Sequence, residues 1–138
     1  LTDGADVLIK KNPFEFMRDP DLLYFGSDLA SLPLIRDNDW CLKKLAYLLK
    51  SPLVKMDDSI FDFEYVNVGV YGGFYETIRA FNQSLLMIFR SLNADENYNM
   101  MAVNYLLWKY GHRHFKGQPL TSPFKKYDMA GDYFIVHK

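Results

Sequence analysis

Cysteine is almost missing from this sequence: Cys41 is the one thiol in 138 residues. A lone cysteine excludes an internal disulfide and any zinc site built from several thiolates. No basic neighbourhood marks it as reactive, so Cys41 reads as a small core residue beside Trp40. Net charge is nearly absent as well, since 16 Lys and Arg stand against 17 Asp and Glu for a formal charge of −1. That balance gives no overall pull toward nucleic acid or an anionic membrane, and any anion must be held locally. The sequence also lacks the run of about 20 apolar residues that spans a bilayer and the charged start and small-residue cleavage site of a secretory signal. No membrane segment is expected within these residues, and the compartment stays open. There is no Gly-Lys-Ser/Thr phosphate loop, no dinucleotide-type glycine spacing, no H-E-x-x-H, no paired-cysteine motif and no Ser-His-Asp order.

What the chain has is apolar and aromatic residues, 49% and 17% of the total with 24% charged, the profile of a folded globular protein. Its length suits one domain, residues 1–138. Acids give way to Val7-Leu8-Ile9 and the run stops at Asn12-Pro13, which predicts a short buried strand over residues 2–9. Residues 22–25 predict a second strand, closed by Gly26-Ser27 and carrying Asp28 at its end. Trp40, Leu42, Leu45, Leu48 and Leu49 predict a helix over 39–50, capped by Asp37 or Asp39 and left at Pro52. "IFDFEYVNVGV" predicts a strand over 59–70 running into a loop at Gly72-Gly73. Ile78, Phe81, Leu85, Ile88 and Leu92 recur at spacings of three and four, predicting an amphipathic helix over 75–92. A third helix is expected over 97–110, with a polar start at 93–97, Met101, Tyr105 and Trp108 on one face and Gly111 as the stop. Residues 111–131 read as loop around one short strand, and Tyr133-Phe134-Ile135-Val136 as a final strand delivering His137 and Lys138. Strands alternating with helices give an α/β fold with a mixed sheet flanked by helices.

Few residues suggest chemistry by type and spacing alone. Asp3 and Asp6 could present hard oxygen ligands to Mg2+ or Mn2+ at a strand end, and two aspartates near a glycine equally make a turn or a helix cap. His112 and His114 flank Arg113 in what reads as a solvated basic segment, and His137, after an apolar strand, is a candidate for a buried, oriented imidazole. "NVGVYGG" places three glycines in five positions, which allows close approach of a ligand to backbone or makes a strand-to-helix turn.

In order along the chain, five stretches resemble the nucleotide-sugar-dependent glycosyltransferases of the GT-A fold. "LTDGADVLIKKNPF" is similar to that family's strand ending in an Asp-x-Asp-type metal motif and an Asn/Asp-Pro-Phe turn; "VNVGVYGG" is similar to its Asn-x-Gly-Val acceptor loop, and "ENYNMMAVNYLLW" to the helix that follows. "FKGQPLTSPFKKY" and "FIVHK" are similar to its last stretch, where a histidine joins the metal shell. The pattern departs in two places: the acids are spaced Asp-x-x-Asp, with Asp6 the better match, and Asn97-Tyr98-Asn99-Met100 stands where the family often has Asp-Gln.

The resemblance implies the metal- and acceptor-binding part of a catalytic domain, the βαβ units of the first nucleotide-binding half being absent from a chain that opens directly on its metal motif. It implies transfer of a sugar from a UDP- or GDP-sugar donor to a hydroxyl of a glycan or other acceptor. Mn2+ or Mg2+ would be held by Asp3, Asp6 and His137, and the donor diphosphate by Asp3, Asp6 and Lys138. Asn67, Gly69, Gly72 and Gly73 would line the acceptor, and Asp28, Asp95 and Glu96 are the acids available as a general base. The alternative is a non-catalytic glycosyltransferase-like module that binds a glycan or a protein.

Overall fold

A computed structural model describes residues 6–28, 34–92, 96–124 and 128–137. The described chain is a small α/β protein with five short strands, β1 (Val7–Ile9), β2 (Leu23–Gly26), β3 (Asn67–Gly73), β4 (His114–Lys116) and β5 (Ile135–His137), and three helices, α1 (Asp39–Leu48), α2 (Tyr75–Ser91) and α3 (Asn99–Tyr110). It resolves into two compact units, residues 1–31, 66–78 and 113–138 in the first and 32–65 and 79–112 in the second.

The first unit holds every strand of the described residues. A three-stranded mixed sheet has the order β3-β2-β4, with β3 antiparallel and β4 parallel to β2. β2 is buried along its whole length, as a central apolar strand covered on both faces should be. Phe25 is fully buried and stacks on Tyr71 at 6.0 Å between ring centroids. β1 and β5 make a separate antiparallel pair. Tyr24, Val70, Leu120 and Ile135 form the buried centre of this unit, with Val7, Phe16, Met17, Leu22, Phe115 and Phe134 packed around them. Phe16 lies edge-on to Phe115 at 5.1 Å, the arrangement that puts a positive ring edge against a negative ring face.

The second unit is helical. α1 buries Cys41, Leu45 and Leu48, positions spaced four and three apart on one face, and packs against α3. α3 is buried continuously from Met101 to Leu107, so it is a central helix rather than an amphipathic one. Even Asn104 is fully buried there, and its Nδ2 donates to the Met100 carbonyl at 2.8 Å. α2 buries Phe81, Leu85 and Ile88, the stripe expected from its spacing.

Several expectations are corrected. β1 is not a buried strand, because Leu8 and Ile9 are exposed. Trp40 and Leu49 lie on the exposed side of α1, since the face is set by Cys41. The helix cap is Asn38, whose side chain accepts from the N–H groups of Trp40 and Cys41, rather than Asp37 or Asp39. Residues 58–62 form a 3-10 turn instead of a strand, where Asp57 caps Ser59 and Phe63 ends the turn. Gly72 and Gly73 are strand residues, not a loop. Residues 93–95 of the expected polar cap lie outside the described residues, and Tyr98 at the N-cap of α3 makes no capping bond with its side chain.

Candidate functional site

Four backbone pairings bring distant residues to one end of the first unit. Val7 pairs with His137 in the β1–β5 ladder, which sets Asp6, the residue before Val7, beside the end of β5. Segment 120–124 runs along the other side of β5: the Ile135 N–H donates to the Leu120 carbonyl, and the Ser122 N–H to the Ile135 carbonyl. The same segment meets the end of β2 through a parallel bridge between Ser27 and Pro123, and the Phe124 N–H donates to the Ser27 carbonyl at 2.9 Å. Asp28 therefore follows directly on a residue tied to the segment that flanks His137. Asn67, paired with Gly26, starts β3 at this same end.

His137 is the most enclosed of these side chains, 1% exposed. Its backbone N–H donates to the Ser122 hydroxyl at 2.9 Å, and its ring lies against Phe124 at 4.5 Å between centroids. Ser122, itself fully buried, takes up the donor that would otherwise continue the 120–122 ladder. Sequence reasoning missed both Ser122 and Phe124, because nothing in "LTSPF" announces that its serine will meet the end of β5. Asp6 is exposed and Asp28 half-buried.

Asn67 is buried, and its Oδ1 accepts from the Gly69 N–H at 2.9 Å. That bond closes a tight local ring inside an irregularity of the sheet: Phe25 pairs with Tyr71 but Gly26 pairs with Asn67, so residues 68–70 bulge out between them. Bulges bend a strand and re-aim its side chains. Gly69 lies in the bulge near the His137 end. Gly72 and Gly73 pair with Tyr24 and Leu23 at the other end of β3, so the four residues expected to line an acceptor do not form one wall.

Of the three expected catalytic acids, Asp28 is placed as above. Glu96 belongs to the second unit, is exposed, and forms an ion pair with Lys44. The hydrogen bond from Lys44, reinforced by its charge, lowers the Glu96 pKa below the ordinary glutamate value. Asp3, Asp95 and Lys138 lie outside the described residues. Of the expected metal set, Asp6 and His137 are described, and no group of three or more His, Cys, Asp or Glu able to hold a metal ion is found among the described residues. No described helix is long and apolar enough to cross a membrane.

No family model, curated protein or solved structure matches the chain.

Proposed function

We propose that the chain is the metal- and acceptor-binding part of a GT-A-type glycosyltransferase, moving a sugar from a UDP- or GDP-sugar to a hydroxyl of a glycan or other acceptor. The observation that carries this reading is the gathering of Asp6, Asp28, Asn67 and His137 at one end of the first unit's strands. They come from four separate stretches of sequence, three of them in the motifs that resemble the family, and the pairings of β1 with β5 and β2 with β3, joined by segment 120–124, bring their backbone positions to one end.

Breaking the bond to a nucleoside diphosphate builds negative charge on the departing phosphate oxygen. A divalent ion, Mn2+ or Mg2+, supplies Lewis-acid stabilisation of that charge when bound. Asp6 and His137, with Asp3, are the residues that would hold it, the carboxylates supplying the hard oxygen ligands that Mn2+ or Mg2+ takes. Ser122 and Phe124 fix the backbone and ring of His137, so its position is set before any ligand arrives. Asp28 is the acid at this end able to take a proton from the acceptor hydroxyl. Glu96 is held by Lys44, which lowers its pKa below the ordinary glutamate value and so weakens it as a base.

A second reading, a glycosyltransferase-like module that binds a glycan or protein without transfer, is favoured by the burial of His137. An imidazole 1% exposed suits a structural role as well as a ligand.

The test is release of UDP or GDP from a panel of sugar nucleotides by the full polypeptide with Mn2+, with and without neutral glycan acceptors. Release that depends on the metal and rises with acceptor supports transfer. Glycan binding without release under any of these conditions selects the module.

A further inference from the structure

Away from the His137 end, the first unit has a concavity that no step of the proposed transfer uses. It has a volume of about 330 Å3 and is lined by Phe14, Met17, Gly73, Phe74 and Tyr75. Phe14 is 72% exposed, Tyr75 71% and Phe74 43%. Single exposed rings are ordinary on a protein surface, but three around one hollow mark a binding surface.

The rings stand on ordered backbone. Asn12 Oδ1 accepts from the Phe14 N–H, and the Phe16 and Met17 N–H groups both donate to the Pro13 carbonyl. On the other side the Ile78 N–H donates to the Phe74 carbonyl where α2 begins, and the Thr77 hydroxyl donates to the Pro20 carbonyl at 2.6 Å. The floor is close-packed: a Cβ on Gly72 would stand 3.1 Å from Met17 Cε, and one on Gly73 3.2 Å from the Leu22 carbonyl.

We propose that this hollow is a sugar-binding subsite, in which the exposed rings stack on the apolar face of one pyranose of a neutral glycan. Its assignment to the far end of an acceptor rests on the glycosyltransferase reading; the sugar-binding site itself does not.

Size, charge and position select that occupant. The volume lies at the lower end of small-ligand sites, roughly 300–1,000 Å3, and suits one or two rings. The exposed parts of the three rings amount to roughly 400 Å2 at about 200 Å2 per aromatic side chain, about half of the ~800 Å2 that each partner buries in a stable protein interface. The stretches that carry the rings hold no excess of either sign: Glu15, Asp19, Asp21 and Glu76 stand against Lys10, Lys11, Arg18 and Arg79. Arg18 is directed to the Glu15 carbonyl and Arg113 to Asp19. With no excess of basic side chains, the hollow has no built attraction for a phosphate, a nucleotide or an anionic lipid surface. A neutral sugar suits both features, because its C–H-rich face is attracted to the negative face of an aromatic ring and its hydroxyls stay in water. Gly73 and Asn67 pair with β2 residues three positions apart, so the hollow lies roughly 10 Å from the His137 end. A sugar there would be a remote unit of the acceptor, not the one receiving the transfer.

Saturation-transfer NMR of the full polypeptide with methyl β-D-galactopyranoside, methyl β-D-glucopyranoside and cellotriose tests this, comparing wild type with Phe14→Ser and Tyr75→Ser. Both side chains are exposed, and an unchanged unfolding midpoint verifies that the variants are folded. At least one probe is expected to bind and to weaken roughly three- to tenfold in each variant. Absence of binding by all three probes overturns the proposal, as does equal binding in the variants. Binding of tetramethylammonium in place of the sugars overturns it in favour of an aromatic cage for a cation. Self-association lost in Tyr75→Ser overturns it in favour of a contact between copies. Sugar binding lost in the variants, in a polypeptide that releases no UDP or GDP, supports the subsite while the transferase reading falls. Transfer whose dependence on acceptor length is unchanged in Phe14→Ser removes the subsite and leaves that reading standing.

Discussion

Val7 lies directly across the β1–β5 ladder from His137, so the residue after Asp6 and the histidine of "FIVHK" are cross-strand neighbours although they come from opposite ends of the sequence. An acid motif at the start of the chain and a histidine near its finish have little reason to meet unless a strand pair joins them. That pairing sets Asp6 beside the end of β5.

Asp6→Ala is the cleanest probe of that site. Asp6 is exposed, so the substitution should change stability by no more than about 0.5 kcal/mol while abolishing metal-dependent release of UDP or GDP. His137→Ala should abolish it too but also destabilise the fold by about 1–3 kcal/mol, because it empties a buried position against Phe124. Turnover with saturating Mn2+ and urea unfolding measure the two effects separately. Activity retained in Asp6→Ala would remove Asp6 from the proposed metal site.

The first helix tests which residue caps it. Asn38 accepts from two backbone N–H groups of the first turn and donates to the Tyr65 hydroxyl at 3.1 Å. Asn38→Ala should therefore cost about 1–2 kcal/mol, whereas Asp37→Ala and Asp39→Ala should each cost less than about 0.5 kcal/mol. Urea midpoints of the three variants make the comparison, and equal losses would show that Asn38 is not the cap.

Local signals were legible where one residue type does one job. Phe81, Leu85 and Ile88 gave α2 its stripe, Asn12-Pro13 its turn after β1, and Gly111 the stop of α3. The misreadings came where long-range pairing decides. Gly72 and Gly73 read as loop because glycine favours turns, yet β2 supplies partners that hold them in a strand. "SIFDFEYV" read as strand by its aromatic and β-branched residues, but Asp57 Oδ1 accepts from the Ser59 N–H and starts a 3-10 turn instead. The candidate site was legible as a set of motifs and illegible as a place. Which end of the sheet each motif reaches depends on register, and the three-residue bulge after Asn67 that separates Gly72 and Gly73 from Asn67 leaves no mark in composition or periodicity.

The two left-handed glycines separate backbone strain from crowding. Gly111 has φ +60 with nothing within 4 Å of an added Cβ, whereas Gly117 has φ +78 and an added Cβ would stand 2.9 Å from Ser27 Oγ. Gly111→Ala should cost about 1–2 kcal/mol for the left-handed conformation alone. Gly117→Ala should cost about 1–3 kcal/mol more, for the overlap with Ser27. Because Ser27 lies one residue before Asp28, Gly117→Ala should also lower turnover, while Gly111→Ala should not. Paired unfolding and UDP-release measurements check this, and equal stability losses would show that the Ser27 side chain yields freely.

Two buried tyrosines make a matched pair for the worth of a hydroxyl. The Tyr98 side chain is buried, with rings of Tyr47 and Phe89 at 5.4 and 5.6 Å, and its hydroxyl has no hydrogen-bond partner among the described residues. The Tyr105 hydroxyl accepts from the Lys55 N–H at 3.1 Å. Near neutral pH, Tyr98→Phe should be neutral or stabilising by up to about 1 kcal/mol, and Tyr105→Phe should destabilise by about 0.5–1.5 kcal/mol, because it removes the hydrogen bond from the Lys55 N–H. High pH separates Tyr98 further. Burial, and then the neighbouring Tyr47, raise its pKa above the ordinary tyrosine value. A group whose folded pKa is raised contributes stability that is fully present below its unfolded value, about 10 for tyrosine, and is lost as pH rises through the folded value. Wild type should therefore lose stability above about pH 10, and Tyr98→Phe should lose less over the same range. Urea unfolding at pH 7 and at about pH 11 reads both effects. A Tyr98→Phe variant that falls as steeply as wild type would mean that other tyrosines carry the alkaline transition.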